Sequence, residues 1–303
     1  MLLESTTPTR FAAIDIGTNT ALMIIAEVSH GAVGRIVADE HSIPRLGEGV
    51  YTDGHIGPEA LERTIKTIEH YRSIIKGASV SSAVAVATAA LRNAVNKAEV
   101  QQQLSKALGN IPLYLIDGLT EADITYSGVV GASALAGIID IGGGSTELVW
   151  PAANNTIERL SLDQGAVRLT EAWKSGLLPR GIVDIGTQLP IAGALPWYAV
   201  AGTPVALSML DQGLFRYDEH LVNTYTLTAE RVTYWRNVLL YGELPRGLAG
   251  TIPAGRLDIL PAGSAILANL MHKMDMPQIT VSTRGLRHGV VQWMAERRQP
   301  FTT

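Results

Sequence analysis

The stretch IIDIGGGSTELVW (residues 138–150) runs apolar residues into Asp140, sets three consecutive glycines after Ile141, and turns through Ser145, Thr146 and Glu147 into a second apolar run. Consecutive glycines lose much conformational entropy on folding, so the chain needs a backbone without side chains at that point. The stretch FAAIDIGTNTALMIIAEV (11–28) repeats the pattern: apolar strand, Asp-Ile-Gly, small polar residues, apolar strand. Residues 11–14 and 20–28 read as two strands of a hairpin, with Gly17 supplying the bend. The pattern begins again near residue 125, an internal repeat that predicts two α/β units with a cleft between them.

Working outward, RIVADEHSIPRLGEGV continues as a strand and a glycine-rich loop. Residues 57–78 predict an amphipathic helix, with Pro58 in its first turn, Leu61, Ile65, Ile68 and Ile75 on one face, and Gly77 as its stop. A buried strand is expected at 82–88, a helix at 97–109 and a strand at 111–116. DGLTEADITYSGVVGASA then opens a helix, with Thr120 as N-cap and Asp123 three residues on. AGIID leads as a strand into the glycine triplet. Further on, helices are expected near 228–241 and 262–274, and HGVVQWMAERR forms a terminal one. No low-complexity linker intervenes, so the domain boundary is placed at 124/125: residues 1–124, then 125–303, with the last helix free to pack back on the first domain. A third Asp-Ile-Gly (184–186) lacks a strand on its far side, where prolines break TQLPIAGALPW, and reads as a loop or helix end.

The bulk properties narrow the function. The 303 residues are 47% hydrophobic and 17% charged, which fits a globular protein with two buried cores. A net charge of −4 and a pI near 6.0 argue against broad binding to nucleic acid or anionic membranes. An anionic substrate therefore needs a local cluster of basic groups and backbone amides. The absence of cysteine removes disulfides, thiolate metal sites and a cysteine nucleophile. MLLESTTPTR lacks a basic segment followed by an apolar one, and Gly128 to Ile139 is too short to span a bilayer, so a cytoplasmic location is expected.

Each Asp-Ile-Gly turn offers a carboxylate at a strand end beside amides that a phosphate can approach, although a plain tight hairpin accounts for either turn alone. The amides of Gly142, Gly143, Gly144, Ser145 and Thr146 make an anion nest, and Asp140 suits Mg²⁺ on the same phosphate. Asp15, Gly17, Thr18 and Asn19 offer the matching turn. Arg92 lies just past a buried strand, where a guanidinium either reaches into the cleft or stays a solvated helix residue. Arg45 has a weaker claim of the same kind. Arg284, Arg287 and His288 read equally as anion ligands or as surface residues of a helix start. The histidines show no paired ligand spacing, so zinc is not expected.

AAIDIGTNT, RLGEGV, ATAALRNAVN, EADITYSGVVG, DIGGGSTELV, SLDQGAVRLTE, RLDILPAGSAIL and VSTRGLRHGVV occur in the order of the exopolyphosphatase/guanosine-pentaphosphatase (Ppx/GppA) family, which the chain resembles over about residues 11–292. The resemblance implies two ribonuclease-H-like domains of the actin/sugar-kinase/Hsp70 type around a phosphate-binding cleft, in a short form. It implies that Glu121 is the base activating water, and that Glu147 is a second essential acid binding metal or placing water. From the residues alone, Glu121 stays open between that role and a helix-start acid favoured by the dipole. The implied reaction is release of terminal phosphate from polyphosphate with Mg²⁺ or another divalent cation. Guanosine pentaphosphate hydrolysis is the near alternative, a non-catalytic alarmone or polyphosphate sensor a further one, and a homodimer stays open. Two departures bear on substrate choice: Asp123 stands where relatives commonly carry arginine, and Ala201-Gly202-Thr203 has one glycine fewer than the usual Gly-Gly-Thr.

Overall fold

A computed structural model of the chain describes residues 9–130, 135–152, 156–186 and 188–296. Strands β1 (Thr9–Ile16), β2 (Ala21–Ser29) and β3 (Ala32–Ser42) form an antiparallel meander. Helices α1 (Val50–Asp53) and α2 (Pro58–Gly77) lead to β4 (Ser82–Ala87), which returns parallel to β1. Then α3 (Ala89–Asn93) and α4 (Lys97–Leu108) precede β5 (Leu113–Leu115), parallel to β4. The expected face of α2 does enter the core: Leu61, Ile68 and Ile75 are buried, Ile65 is half-buried, and Tyr71 joins them to bond the Ala21 carbonyl.

The second half repeats the plan. After α5 (Gly118–Val129) come β6 (Gly137–Ile141), β7 (Thr146–Pro151) and β8 (Ile157–Leu162), again an antiparallel meander. Helix α6 (Ala166–Lys174) is followed by β9 (Trp197–Val200), parallel to β6. The remaining elements are α7 (Gly202–Asp211), α8 (Glu219–Val222), β10 (Thr226–Thr228), α9 (Ala229–Tyr241), α10 (Ala254–Leu257), α11 (Leu260–Lys273), β11 (Gln278–Val281) and α12 (Leu286–Ala295). The sheet orders are β3-β2-β1-β4-β5 and β10-β11-β9-β6-β7-β8. Read from β3 and from β8, the orders coincide over five strands, which is the repeat expected from the two Asp-Ile-Gly stretches. The mixed α/β class is as expected. Among the described residues no helix is long and apolar enough to cross a membrane.

Each sheet has its own apolar core, and a third cluster forms where α12 returns to the first sheet. There Leu286, Val290 and Val291 pack on Ala13, Ile24 and Val86. Helix α12 also crosses α5 with backbones nearly touching: a Cβ on Gly128 would meet the Gly285 carbonyl at 2.7 Å, and one on Gly289 the Ile124 carbonyl carbon at 2.6 Å. The C-terminal part of the expected terminal helix, Arg297 and Arg298, lies outside the described residues.

Two local expectations change. The N-cap of α5 is Asp117, whose carboxylate accepts the Thr120 amide at 2.7 Å; Thr120 itself sits inside the helix. Aspartate and threonine both cap well, and Asp117 wins because Gly118, the next residue, lets the helix start against β8: a Cβ there would meet Ser161 Cβ at 2.7 Å. Asp123 makes no capping contact and instead pairs with Arg159 of β8 at 2.9 Å. The third Asp-Ile-Gly is irregular backbone, as expected, with Ile185 buried and its carbonyl bonded by Lys273.

Ala201, the residue replacing a glycine, sits at φ 71°, ψ −166° at the N-cap of α7. That region belongs almost wholly to glycine, and a side chain there costs about 1–3 kcal/mol. Ala201→Gly relieves this, offset by about 0.4–1 kcal/mol for glycine's freedom in the unfolded chain. The expected outcome is a net gain of about 1 kcal/mol, or about 2 °C in Tm. A Tm unchanged or lowered in calorimetry would show that Ala201 is unstrained.

Candidate active site

Strand register builds the site. Asp140 at the end of β6 stands directly opposite Glu147 on β7, and Glu147 opposite Ser161 on β8. Opposed residues share a face with Cβ atoms about 5 Å apart, so two acids and a hydroxyl form one row. Asp15 holds the place in the first sheet that Asp140 holds in the second: each ends its first strand, beside Val86 and Val200 respectively. Helix α5 lies over the row. Glu121 and Thr125, one turn apart, share a face; Thr125 Oγ1 donates to Asp140 Oδ2 at 3.4 Å. Arg92 Nη1 donates to the Ile116 carbonyl at 2.7 Å and lies 3.4 Å from Glu121 Oε2.

These four carboxyl groups crowd one another. Asp15 is raised to about 7 by burial and by Asp140, against a lowering by Arg287. Asp140 is raised to about 6 by burial, which the Thr125 hydroxyl opposes. Glu121 is raised by burial and by the Glu147 charge, with Arg92 opposing. Glu147 is raised by burial and by Asp140, although Ser145 and Ser161 hydroxyls donate to it, the latter at 2.9 Å. Glu147 is 1% exposed, which removes its reading as an ordinary exposed strand residue. Glu121 is buried against Arg92 while Asp117 makes the cap, so capping does not account for it. Arg92 is tied down at both contacts, unlike a solvated helix arginine.

The two glycine turns meet face to face. Thr18 from the first turn fits a hollow of glycines: a Cβ on Gly143 would stand 2.8 Å from Thr18 Cβ, and one on Gly144 would stand 2.9 Å from its hydroxyl. Gly144 faces Ala89 as well. The amides of Ala166 and Val167, opening α6, bond the carbonyls of Gly142 and Gly143 at 2.9 and 2.8 Å. The triplet is therefore bare partly because protein, from both halves, fills the space. Gly142 and Gly17 each close their turn by donating the backbone N–H, to the Ser145 and Thr20 carbonyls respectively. Ser145 is buried, and Thr146 donates to the Gln164 carbonyl at 2.6 Å.

Other expected residues join the halves. Asn19 Nδ2 bonds the Gly255 carbonyl at 3.1 Å, and Arg45, at φ 58°, pairs with Asp258 at 2.8 Å and Glu48 at 3.4 Å. Arg45 is thus engaged by carboxylates. Arg287 grips Asp39 of β3 through two bonds of 3.0 and 2.9 Å; Arg284 is exposed, and His288 is buried, its Nδ1 accepting the Gly285 amide. Sequence reading missed Tyr51, Arg168 and Glu171. Glu171 accepts the amides of Gly49 and Tyr51 at 2.8 and 3.0 Å, and Arg168 lies 4.5 Å over the Tyr51 ring. It also missed Thr125, although its spacing of four from Glu121 was visible, and Arg256, whose guanidinium packs on the bare backbone of Gly202.

A fold of two matched sheets with acids and glycine turns between them defines an α/β protein of the actin-like type. Comparison with known proteins gives the particular group. The model of the Ppx/GppA phosphatase family matches residues 24–298, and the chain belongs to that family. Exopolyphosphatase 2 of Mycobacterium tuberculosis (strain CDC 1551 / Oshkosh) is 29% identical, over 95% of this chain and 99% of the relative. Among solved structures, the Aquifex aeolicus Ppx/GppA family member is 25% identical with a TM-score of 0.73, over 95% of this chain and 98% of that one. An exopolyphosphatase-like protein superposes with a TM-score of 0.82 at 25% identity, over 96% of this chain and 99% of that one.

The raised carboxyl groups carry a stability consequence for the metal-free protein. With folded pKa values above the unfolded ones, the folded state binds more protons between about pH 4 and pH 7, so stability falls as pH rises through that window. Glu147→Gln removes one buried charge and is expected to raise Tm at about pH 8 in EDTA and flatten the decline. A variant melting below wild type at that pH would contradict the crowding.

Proposed function

We propose that this chain is an exopolyphosphatase that releases terminal orthophosphate from inorganic polyphosphate by attack of water. The observation that carries this reading is Glu121, buried, braced by Arg92 and facing Asp140 and Glu147 beside two glycine turns. The family and the named activity of the mycobacterial relative support it. Residues 1–124 and 125–303 are taken as the two domains forming the cleft, with the last helix, α12, packed back on the first, and the protein as cytoplasmic.

In this reading Glu121 accepts the proton of the attacking water as its oxygen bonds the terminal phosphorus, and the bridging P–O bond breaks toward the shortened chain. A base works best with a pKa near the working pH, and burial with neighbouring acids lifts Glu121 toward it. Arg92 favours the ionised form and keeps the carboxylate in place. The Gly17 and Gly142 amides are spent closing their turns, so in this reading the amides that follow them, at Thr18 and Asn19 and at Gly143 and Gly144, hold the phosphate oxygens. Arg256 adds a cation on the cleft wall.

The donor set suits Mg²⁺. Asp140 and Glu147 are opposed carboxylates, and Glu147 Oε2 is buried without a hydrogen-bond partner. Among the described residues no three His, Asp or Glu side chains are arranged to hold an ion alone. Mg²⁺ binds commonly through one or two carboxylates, substrate phosphates and water. When bound, it would neutralise charge on the phosphate oxygens.

Glu121→Gln keeps shape and removes the base, so kcat is expected to fall about 10²–10⁴-fold in a folded protein that still binds polyphosphate. Near-normal turnover would move the base assignment to Glu147. Phosphate release from polyphosphate and from guanosine pentaphosphate, run side by side with Mg²⁺, should favour polyphosphate. EDTA should abolish release and Mg²⁺ restore it, whereas undiminished turnover in metal-free buffer would remove the metal from the scheme.

A further inference from the structure

Three arginines gather where β3, α10 and α12 approach the cleft, and two are neutralised. Arg45 pairs with Asp258 and Arg287 with Asp39. Arg256 differs. Among the described residues no carboxylate pairs with it, and burial alone lowers its pKa to about 10, leaving it cationic at neutral pH. Its guanidinium lies against Gly202, just beyond Val200, the parallel partner of Asp140. Gly255, the residue before it, is bonded by Asn19 of the first turn. Arg256 therefore sits half-buried between the first turn and the start of α7, with its charge unspent.

The group that orients it is His41 of β3, whose Nε2 lies 3.2 Å from Arg256 Nη2. A guanidinium donates and never accepts, so Nε2 must carry a lone pair and the ring proton must lie on Nδ1. His41 is exposed to solvent, while the protein around its ring disfavours the charged form. That effect, with Arg256 and Arg287 facing it, holds its pKa well below the ordinary value, so the ring stays neutral. A carboxylate at this position would fix Arg256 equally well but cancel its charge.

We infer that His41 is a positioning residue, a neutral acceptor that holds Arg256 toward the phosphate chain while leaving its positive charge for the substrate. This rests on the polyphosphate reading of the cleft. An oriented cation that contacts chain phosphates away from the reacting one contributes binding in ground and transition states alike, so its loss appears in KM and little in kcat.

The test uses steady-state kinetics on polyphosphate with the full chain and the variants H41Q, H41L, R256Q and H41L/R256Q, each checked for an intact melting transition. Hydrogen bonds to charged groups predict that H41L raises KM about fivefold or more with kcat nearly constant. H41Q keeps a neutral acceptor and should stay within about twofold of wild type. The H41L effect should vanish in the R256Q background, since coupled residues are non-additive. If H41L leaves KM unchanged, or multiplies it equally with and without Arg256, the positioning role is overturned. If R256Q itself leaves KM unchanged, the reading of Arg256 as a phosphate ligand fails, independently of His41. Should H41L not fold, H41E takes its place: it keeps Arg256 fixed and neutralises it, so its KM must exceed that of H41Q, and equality overturns the inference.

Discussion

Asp15, Asp140, Glu147 and Glu121 repel one another when ionised, and most of the architecture around them is explained by the need to hold them together. Strand register sets Asp140 against Glu147, whereas the matching position opposite Asp15 is Leu22, so the acid pair belongs to one half alone. Helix α5 brings the fourth carboxyl group, and it lies low over β8 because Gly118 has no side chain to lift it off Ser161. Its far end is held by the close crossing with α12 at Gly128 and Gly289. Arg92 is fixed by the Ile116 carbonyl and answers only part of the charge. A cluster built this way is under-neutralised without a cation, and the energy of assembling it comes from the apolar cores on either side.

The contact between the two turns ties this site to the relation of the halves. Thr18 occupies space that side chains on Gly47, Gly143 or Gly144 would need, and α6 springs from the carbonyls of the triplet. The same helix sends Glu171 to the amides that open α1. A change in how the halves sit therefore alters the turn geometry, the Glu171 cap and the Arg45–Asp258 pair together. It also means that enlarging Gly143 tests packing and substrate approach at once.

What the sequence revealed was local or repeated. The hairpins, α2 and the doubled turn follow from alternation, spacing and glycine placement, which act within a few residues. The collinear motifs carried the acids Glu121, Asp140 and Glu147. What stayed hidden depends on partners distant in the chain. Asp123 looked like an anion beside a base until β8 supplied Arg159. Thr120 and Asp117 are both plausible caps, and only the approach of α5 to Ser161 separates them. Nothing near His41 announces Arg256, which is brought to it by the fold. Ala201 reads as a lost glycine, yet the backbone keeps the glycine conformation with a side chain attached.

A chain of net charge −4 that handles a polyanion must divide its electrostatics within the cleft. In the proposed reading, carboxylates that place water and metal attract cations and repel phosphate, and the amide turns and Arg256 do the opposite. Most arginines in this region are spent on structure, bridging halves through Asp39 and Asp258, where a mobile charge would serve poorly. Arg256, with no carboxylate partner among the described residues, keeps its attraction for phosphate, and a neutral imidazole orients it without cancelling that attraction. Placing Arg256 beyond Val200, beside the Gly202 backbone, separates it from Glu121, whose proposed use as a base would suffer if a further positive charge pulled its pKa down.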